Sequence, residues 1–542
     1  MSSSPAPIPP SRASNIEEIR FKSITLPCEW VENYQPGGYH PVHLGDAFNN
    51  GQYKVIRKLG EGCHSTVWLA RDAKKSRYVA LKILISDPSE STIELQILRH
   101  ISQIAPVEGN KYVTKLLDEF EHQGPNGVHK CLVFELMGPS VTIMVEELPQ
   151  FKPRRKDMDL RYPPQMAKSI LKQSLQAMAF LHRNGISHGD FQPGNMLFTL
   201  QDIDSKGEDI LRQKENVESQ SISPPVERLD GKQDIWAPRY LCIAQPLTPF
   251  TNYGDGFTIK LSDMGGAYFF TDPPKKILTP TGLRPPELVL TGAVDKSLDI
   301  WSFGCLVFEL MTGQPLFFVP WSEDKSEEID EHMIALTSAL GPLPDELYSH
   351  WTSSSLYFTP ERELFNCEIG GVNEGEEPLL LEEQSVEELF DQANPDISKE
   401  ESDAVKALIR RILQYDPAKR PSAEEILLDP WFTRDEVESS RESATTSAWQ
   451  SFFPFLNLER CEETATGAWL VVVLDKRKES AVGEENATEE ESTTGDGSFQ
   501  ANRASFHAIA VHKMRIAIHT ARHRQNSQDI QIQVLQKGIW LQ

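Results

Sequence analysis

The residues most suited to chemistry lie in the octapeptide His188-Gly189-Asp190-Phe191-Gln192-Pro193-Gly194-Asn195. Asp190 and Asn195 stand five residues apart in a short loop broken by proline and glycine, which makes a compact, oxygen-rich site. The carboxylate can accept a proton from an attacking hydroxyl. The amide can offer a neutral oxygen to Mg²⁺. Phosphoryl transfer from ATP divides its labour in this way.

Such a loop needs other elements to hold a nucleotide against it. Tyr53 to Gly60 reads as a strand and Val67 to Ala70 as a second. Gly60-Glu61-Gly62-Cys63-His64-Ser65-Thr66-Val67 then sits at a hairpin tip, where glycines let backbone N–H groups close over phosphates. A lone Gly-x-Gly is common in ordinary turns, and its place between two strands is what gives it weight. Val79 to Leu84 is an apolar strand interrupted by Lys82. A buried lysine needs an anionic partner, whereas an edge-strand lysine would simply face solvent. Glu94 follows in a segment whose Ile93, Ile97, Leu98 and Ile101 recur at helical spacing. A strand lysine paired with a helix glutamate orients the α- and β-phosphates of ATP. Strands at Val113 to Phe120 and Cys131 to Leu136 lead to Met137-Gly138, a turn placed to line an adenine pocket.

A helix over about Pro164 to Arg183 delivers the chain to the central loop, and a short strand, Met196 to Leu200, leaves it. Residues 201–256 are polar, proline-rich and without pattern apart from Tyr240-Leu-Cys-Ile-Ala244, and read as an insert or linker. The strand Phe257 to Ser262 ends on Asp263-Met264-Gly265, where Asp263 can chelate Mg²⁺ and the glycine permits a turn. Asp299 opens an apolar helix, Ile300 to Met311, closed by Gly313. An acidic run, Ser322 to Glu331, precedes a helix from His332 to Leu340, and Asp403 to Trp431 is helical again. Residues 1–29 read as a disordered, Ser/Pro-rich segment, 30–52 as an aromatic lead-in, and 433–542 as a C-terminal extension, largely disordered or of uncertain structure.

Bulk properties narrow the partners. A net charge of −25 argues against direct nucleic-acid binding and favours a basic protein partner. The 7 cysteines are odd in number and scattered, which reads as free thiols in a reducing compartment, cytoplasmic or nuclear. No signal-like apolar run opens the chain, and Ala468 to Leu474 is too short to span a bilayer, so no membrane role is expected. His507, His512, His519 and His523 fit no ligand spacing, so a metal reading is set aside.

From about Tyr53 to Phe432 the series resembles the eukaryotic protein kinases, and within them the SR-protein kinases of the CMGC group. Gly38-Tyr-His-Pro-Val-His-Leu-Gly-Asp46 is similar to the segment before the first strand in that family. Gly62 to Ala70 is similar to its glycine loop, with Ser65 where most kinases have a third glycine. Arg284 before Pro-Pro-Glu287, and Asp330 to Pro344, resemble the CMGC activation segment and insert helix. The resemblance implies an α+β, bilobal protein-kinase-like fold. A small, mainly β lobe would span 53–137 and a larger, mainly α lobe 138–432, with a spacer at about 201–256. It implies ATP and Mg²⁺ as cofactors and Arg/Ser-rich proteins, such as SR splicing factors in mRNA processing, as substrates of a monomer. Asp190 would be the catalytic base, with Lys82 and Gln192 beside it. Leu59, Gly60, Glu61, Gly62, Cys63, His64, Ser65, Thr66, Val67, Ala80, Lys82, Glu94, Phe134, Glu135, Met137 and Leu197 would surround ATP. Asn195 and Asp263 would hold the metal. Glu287 would pair with Arg420, and Asp299 would brace the catalytic loop.

Three positions depart from the usual pattern. Gly189 stands where most protein kinases have Arg, as in the SR-protein kinases, which implies activity without a phosphorylated activation loop. Gln192 replaces a lysine that neutralises the γ-phosphate, and Pro280, flanked by Thr279 and Thr281, lies where many kinases place a threonine. Losing one charge-assisted contact to the transition state would cost on the order of 10²–10³ in rate. A pseudokinase or scaffold retaining nucleotide, and a small-molecule phosphotransferase suggested by His188-Gly-Asp190, are the alternatives. Glu287, Asp299 and Arg420 oppose the latter. The acidic runs 322–331 and 361–403 are either docking surfaces for Arg-rich substrates or solvated loops.

Overall fold

The computed structural model describes residues 19–86, 92–104, 109–155, 158–254, 256–365 and 379–433, and three further strands beyond them. The small lobe is a six-stranded antiparallel sheet in the order β1-β2-β3-β4-β6-β5. Its strands are β1 (Ala47–Phe48), β2 (Tyr53–Gly62), β3 (Ser65–Asp72), β4 (Arg77–Leu84), β5 (Leu116–Gly124) and β6 (Gly127–Phe134), with helix α1 (Thr92–Gln103) between β4 and β5. β2 alternates with two register shifts, between Val55/Arg57 and Lys58/Gly60, which re-aim its end.

The large lobe is mainly helical. It runs α2 (Val141–Glu147), α3 (Pro164–Arg183), the short strands β7 (Ile186–Ser187) and β8 (Met196–Phe198), α4 (Glu208–Leu211), then β9 (Ile259–Leu261) and β10 (Tyr268–Phe269). After these come α5 (Pro286–Thr291), α6 (Ser297–Thr312), α7 (Lys325–Leu340), α8 (Asp345–Tyr348), α9 (Val386–Ala393), α10 (Lys399–Ile412) and α11 (Ala423–Leu427). α6 is apolar on every side and almost wholly buried, so it forms the lobe's axis. Its Trp301 and Phe303 are fully buried among Phe191, Tyr415 and Phe432. Burying each such side chain contributes roughly 1.5–3 kcal/mol. α7 begins seven residues before the expected His332, because Asp324 caps it by accepting from the Ser326 backbone.

Two expectations are corrected. The insert 201–256 is not a linker. Its Ile203, Leu211 and Leu247 pack on Ile56, Leu69 and Tyr78, and Ile222 and Cys242 join the cluster of Val55, Trp68 and Leu81. Ile203, Leu211, Ile222 and Leu247 occur without period, and only Cys242 lies in a short apolar run, Tyr240 to Ala244. Nor are residues 19–29 loose. Phe21 is buried and bridges to Arg228 of the insert. Arg20 pairs with Glu32 at 2.9 Å, both of them buried. An N-terminal arm and the insert thus lie on the small lobe together.

Residues 433–542 form a separate unit. In it β11 (Leu456–Arg460) pairs antiparallel with β12 (Trp469–Leu474), which pairs in parallel with β13 (Gln531–Leu535). The apolar run ending at Leu474 is thus a strand. Residues 1–18, part of the acidic run 361–403 and the histidines from His507 to His523 lie outside the described residues. Among the described residues no helix is long and apolar enough to cross a membrane.

Candidate active site

The catalytic loop is held from beneath by one buried carboxylate. Asp299, on the first turn of α6, accepts from the backbone N–H of His188 (2.7 Å) and of Gly189 (2.9 Å). It also accepts from Ser187 Oγ (2.8 Å) and lies 2.9 Å from His182 Nε2. Burial alone would raise its pKa, but these partners outweigh burial and hold it below the ordinary carboxylate range.

Above this base Asp190 faces the cleft, half-buried. Asn195 Nδ2 donates to both the Asp190 backbone oxygen and Oδ2, each at 2.8 Å. Gln192 Nε2 donates to Asp190 Oδ1 at 2.7 Å. Burial pushes the Asp190 pKa up, while His188, Asn195 and Gln192 moderate the rise. With its nitrogen committed, Asn195 keeps Oδ1 as an outward acceptor.

Gly189 has a steric explanation. Its φ is +68°, and a Cβ there would sit 2.2 Å from the Gly266 carbonyl oxygen. No arginine fits this backbone. In its place the Gly189 carbonyl accepts from Thr279 Oγ1 at 2.5 Å, and Arg284 Nε donates to the Thr279 carbonyl at 2.7 Å. The activation segment is therefore fastened to the catalytic loop directly. Thr279, not the residue at Pro280, makes this contact, a slip of one position in a segment with little regular structure to count from.

Lys82 on β4 lies 2.7 Å from Glu94 of α1 and 2.8 Å from Asp263. Burial would lower the lysine pKa, but the two carboxylates outweigh burial and raise it. Lys82 in turn holds the Asp263 carboxyl down at about 2. Asp263, itself at φ +60°, caps the turn Met264–Gly266 by accepting from Gly265 N, and its side chain remains half exposed.

Strand register decides which loop residues face this site, since directly paired residues share a face of the sheet. Lys82 pairs with Val67, and Val67 with Gly60. Lys82 also pairs with Leu132, and Ala80 with Phe134, so Gly60, Val67, Ala80 and Phe134 share its face. Leu59 packs with Leu69 and Leu136. Gly62 pairs with Ser65, which is buried, and Cys63 and His64 form the turn between them. Cys63 is exposed. A Cβ at Gly60 or Gly62 would meet no atom within 4 Å, so the loop leaves room for a ligand. Met137 is buried at the lobe junction, and Leu197 bridges to Ser140 beneath it.

Three expected ligand side chains point elsewhere. Glu61 and Thr66 pair with each other on the opposite face from Lys82, and Thr66 Oγ1 accepts from Trp68 Nε1 at 2.9 Å. Glu135 accepts from Lys260 at 2.7 and 2.8 Å and from Lys115 N at 2.8 Å, and its own N–H donates to Lys115 O at 3.1 Å, so only its backbone carbonyl is left to a ligand. One contact gave no sequence signal. Tyr39 of the lead-in donates its hydroxyl to Gly62 O at 2.7 Å and reaches Cys63 O at 3.2 Å. At the lobe's base Arg420 meets Glu287 through two contacts of 2.7 and 2.8 Å, both side chains buried.

Asp263 and Asn195 supply hard oxygen donors that suit a hard divalent cation. Among the described residues no group of three or more His, Cys, Asp or Glu side chains has metal-binding spacing. Nucleotide phosphates and water would have to complete the coordination.

The protein kinase domain family matches residues 53–211 and 250–432, more than half of the chain, and the gap falls inside the insert. The serine/threonine-protein kinase SRPK of Physarum polycephalum is 32% identical over 420 residues, covering 74% of this chain and 91% of its own. Protein kinase dsk1 of Schizosaccharomyces pombe is 26% identical over 501 residues, covering 78% of this chain and 87% of its own. Use of ATP and a divalent metal is general to this family. The chain belongs to the protein kinase family and, within it, to the SRPK branch of serine/threonine kinases.

Proposed function

We propose that the protein transfers the γ-phosphoryl group of ATP, with Mg²⁺, to serine in Arg/Ser-rich protein segments. The observation that carries this reading is that Lys82, Glu94, Asp263, Asp190 and Asn195 are mutually positioned with the activation segment already tied down. Lys82 would hold the α- and β-phosphates. Asp263 and Asn195 would hold Mg²⁺, which supplies charge neutralisation at the phosphates when bound. Asp190 would take the proton from the substrate hydroxyl, and its raised pKa suits it to that task. Gln192 would orient Asp190 through the same bond that now joins them.

The substrate class rests on charge and exposed aromatic surface. At the start of α7, Asp330 is consumed by Trp351, Ser353 and Tyr357, and Glu328 by Lys325 and Thr281. Glu323, Glu327 and Glu331 remain exposed. Beside them Phe318 and Trp321 are 75% and 79% exposed. Carboxylates and aromatic faces together fit guanidinium groups.

The competing reading is a nucleotide-binding scaffold, favoured by Gln192. The test uses purified protein, labelled ATP, Mg²⁺ and an Arg-Ser repeat peptide, beside Asp190→Ala. Transfer by the wild-type chain and a loss of at least ~10²-fold in the variant is expected. Equal labelling in both would sink the kinase reading, and thermal stabilisation by ATP without transfer would establish the scaffold.

A further inference from the structure

Lys58 lies on β2, two residues before the first glycine of the loop, and is fully buried. Its register partner is Trp68, which pairs with Leu81, so Lys58 occupies the face of the sheet opposite Lys82. A buried ammonium is costly unless it is paired and hydrogen-bonded. Here it has three oxygen partners from three segments. Glu29 of the N-terminal arm is in direct contact, and its side chain is itself buried. Glu61, between the two loop glycines, is 3.0 Å away. The carbonyl of Cys242, in the insert, accepts at 3.0 Å. Burial would lower the lysine pKa, but the two carboxylates outweigh burial and raise it.

The backbone around Lys58 is held by the same segments. Gln213 Oε1 accepts from Lys58 N at 2.8 Å, and Gln245 N donates to Lys58 O at 2.9 Å. The insert therefore supplies the hydrogen-bond partners for this edge of β2. At the tip, Tyr39 donates to Gly62 O. Glu29 also accepts from Tyr34, so the arm holds the loop through both the carboxylate and the aromatic residues that follow it.

Glu61 raises a problem that this network solves. A carboxylate inside a phosphate-binding loop repels the phosphates unless it is turned away and neutralised. The alternation of β2 turns it away, and Lys58 neutralises it. We propose that Lys58 is a positioning residue for nucleotide binding, which fastens the glycine loop to the arm and the insert and holds the Glu61 charge on the far face. The arm and the insert then act on ATP affinity without touching ATP. The proposal rests on the nucleotide site described above.

The test is a double-mutant cycle in the full chain with Lys58→Met, Glu61→Gln and the double variant. The readouts are the Kd for a fluorescent ATP analogue, the KM for ATP against kcat, and Tm. Lys58→Met takes the cation from both Glu29 and Glu61, so Tm should fall, and the freed Glu61 charge should weaken ATP binding about fivefold with kcat within about twofold. Glu61→Gln alone should stay within about twofold of wild type, and adding it to Lys58→Met should recover most of the lost affinity. A purely structural lysine would lower Tm without this rescue. Unchanged ATP affinity in Lys58→Met, or an equal loss with Glu61 and with Gln at that position, overturns the proposal. Should Lys58→Met not fold, Tyr39→Phe decides. It should weaken ATP binding about twofold to threefold by freeing Gly62 O, and unchanged affinity overturns the proposal. A wild-type chain that binds the analogue but transfers no phosphate leaves the proposal standing while removing the kinase reading, and one that binds no analogue overturns both.

Discussion

The two loops that must close on a nucleotide are each anchored by one buried charge, with opposite sign and opposite reach. Under the catalytic loop the anchor is Asp299, an anion gathering donors from His182, Ser187, His188 and Gly189. Behind the glycine loop it is Lys58, a cation gathering acceptors from Glu29, Glu61 and Cys242. The first draws on a helix and a loop of one lobe. The second draws on β2 itself, through Glu61, and on the arm and the insert, segments added to the lobe's sheet. A charge held by hydroxyl, imidazole and backbone N–H donors has no second carboxylate competing for them. A cation shared by two carboxylates can lose one and keep the other. The difference predicts that the catalytic loop is fixed and the glycine loop adjustable.

Breaking the stronger anchor should have the largest effect. Asp299→Asn keeps one acceptor oxygen but turns amide hydrogens onto the N–H of either His188 or Gly189, which leaves a buried donor unmet. The expected cost is about 3–5 kcal/mol of stability, read as a lower midpoint in urea, with transfer to peptide lost alongside it. A variant that melts and turns over like wild type would remove Asp299 from the role of anchor and end the comparison.

The active side of the catalytic loop can be sharpened rather than broken. Gln192→Lys puts a cation where Gln192 Nε2 now meets Asp190. It should raise kcat on the order of tenfold by meeting charge at the γ-phosphate. The same cation should lower the Asp190 pKa, so the acid limb of the kcat profile should move to lower pH. Unchanged or lower turnover would mean that the site is built around an uncharged donor at 192.

The contrast between the anchors also explains what could be read from the chain. Lys82, Glu94, Asp190, Asn195, Asp263 and Asp299 stand in or beside short strands, punctuated turns and periodic helices, so their spacing was visible and their resemblance to a family could be weighed. The structure gathers the first five around one cleft and sets Asp299 buried beneath the catalytic loop. Lys58 looked like an ordinary polar position on an alternating strand. Its partners at Glu29 and Cys242 lie in stretches without period, where single apolar residues such as Phe21 and Leu211, and the short run Tyr240 to Ala244, dock without a repeating face. Periodicity detects faces, and these segments have none. Glu61 and Thr66 were placed with the ligand because sequence position marks a loop but not which face a side chain takes once two register shifts intervene. Thr279 was left open beside Pro280 because only short elements, such as β10, lie between Asp263 and Glu287 to count from.

Acid should separate the two anchors with the smallest perturbation. Beside the arm, His40 of the lead-in packs against His122 and His129 with ring centroids 4.7 and 4.9 Å apart, and Phe48 closes the cluster. Burial first, then repulsion from His129 and His122, pulls the His40 pKa down from 6.5 to about 3, while the Asp46 carboxylate raises it and His43 lowers it. His122 and His129 are also lowered, mainly by burial. A lowered histidine pKa favours the neutral form in the fold. Its contribution to stability is therefore complete above pH 6.5 and falls progressively below it. Asp299 behaves differently. Its lowered pKa gives stability above the ordinary carboxylate range that is lost only as the pH drops through the folded value. Between pH 6.5 and 5.5 the small lobe should lose roughly 1 kcal/mol through His40 alone, and more through His122 and His129, while the catalytic loop keeps its anchor. Hydrogen exchange should show this as faster opening at Tyr39, Gly62 and Cys63 with unchanged protection at His188 and Gly189. His40→Phe should flatten the small-lobe response, because an aromatic ring of similar shape takes up no proton. Equal acceleration in both loops would mean that they share one anchor, and that the arm does not act on the glycine loop alone.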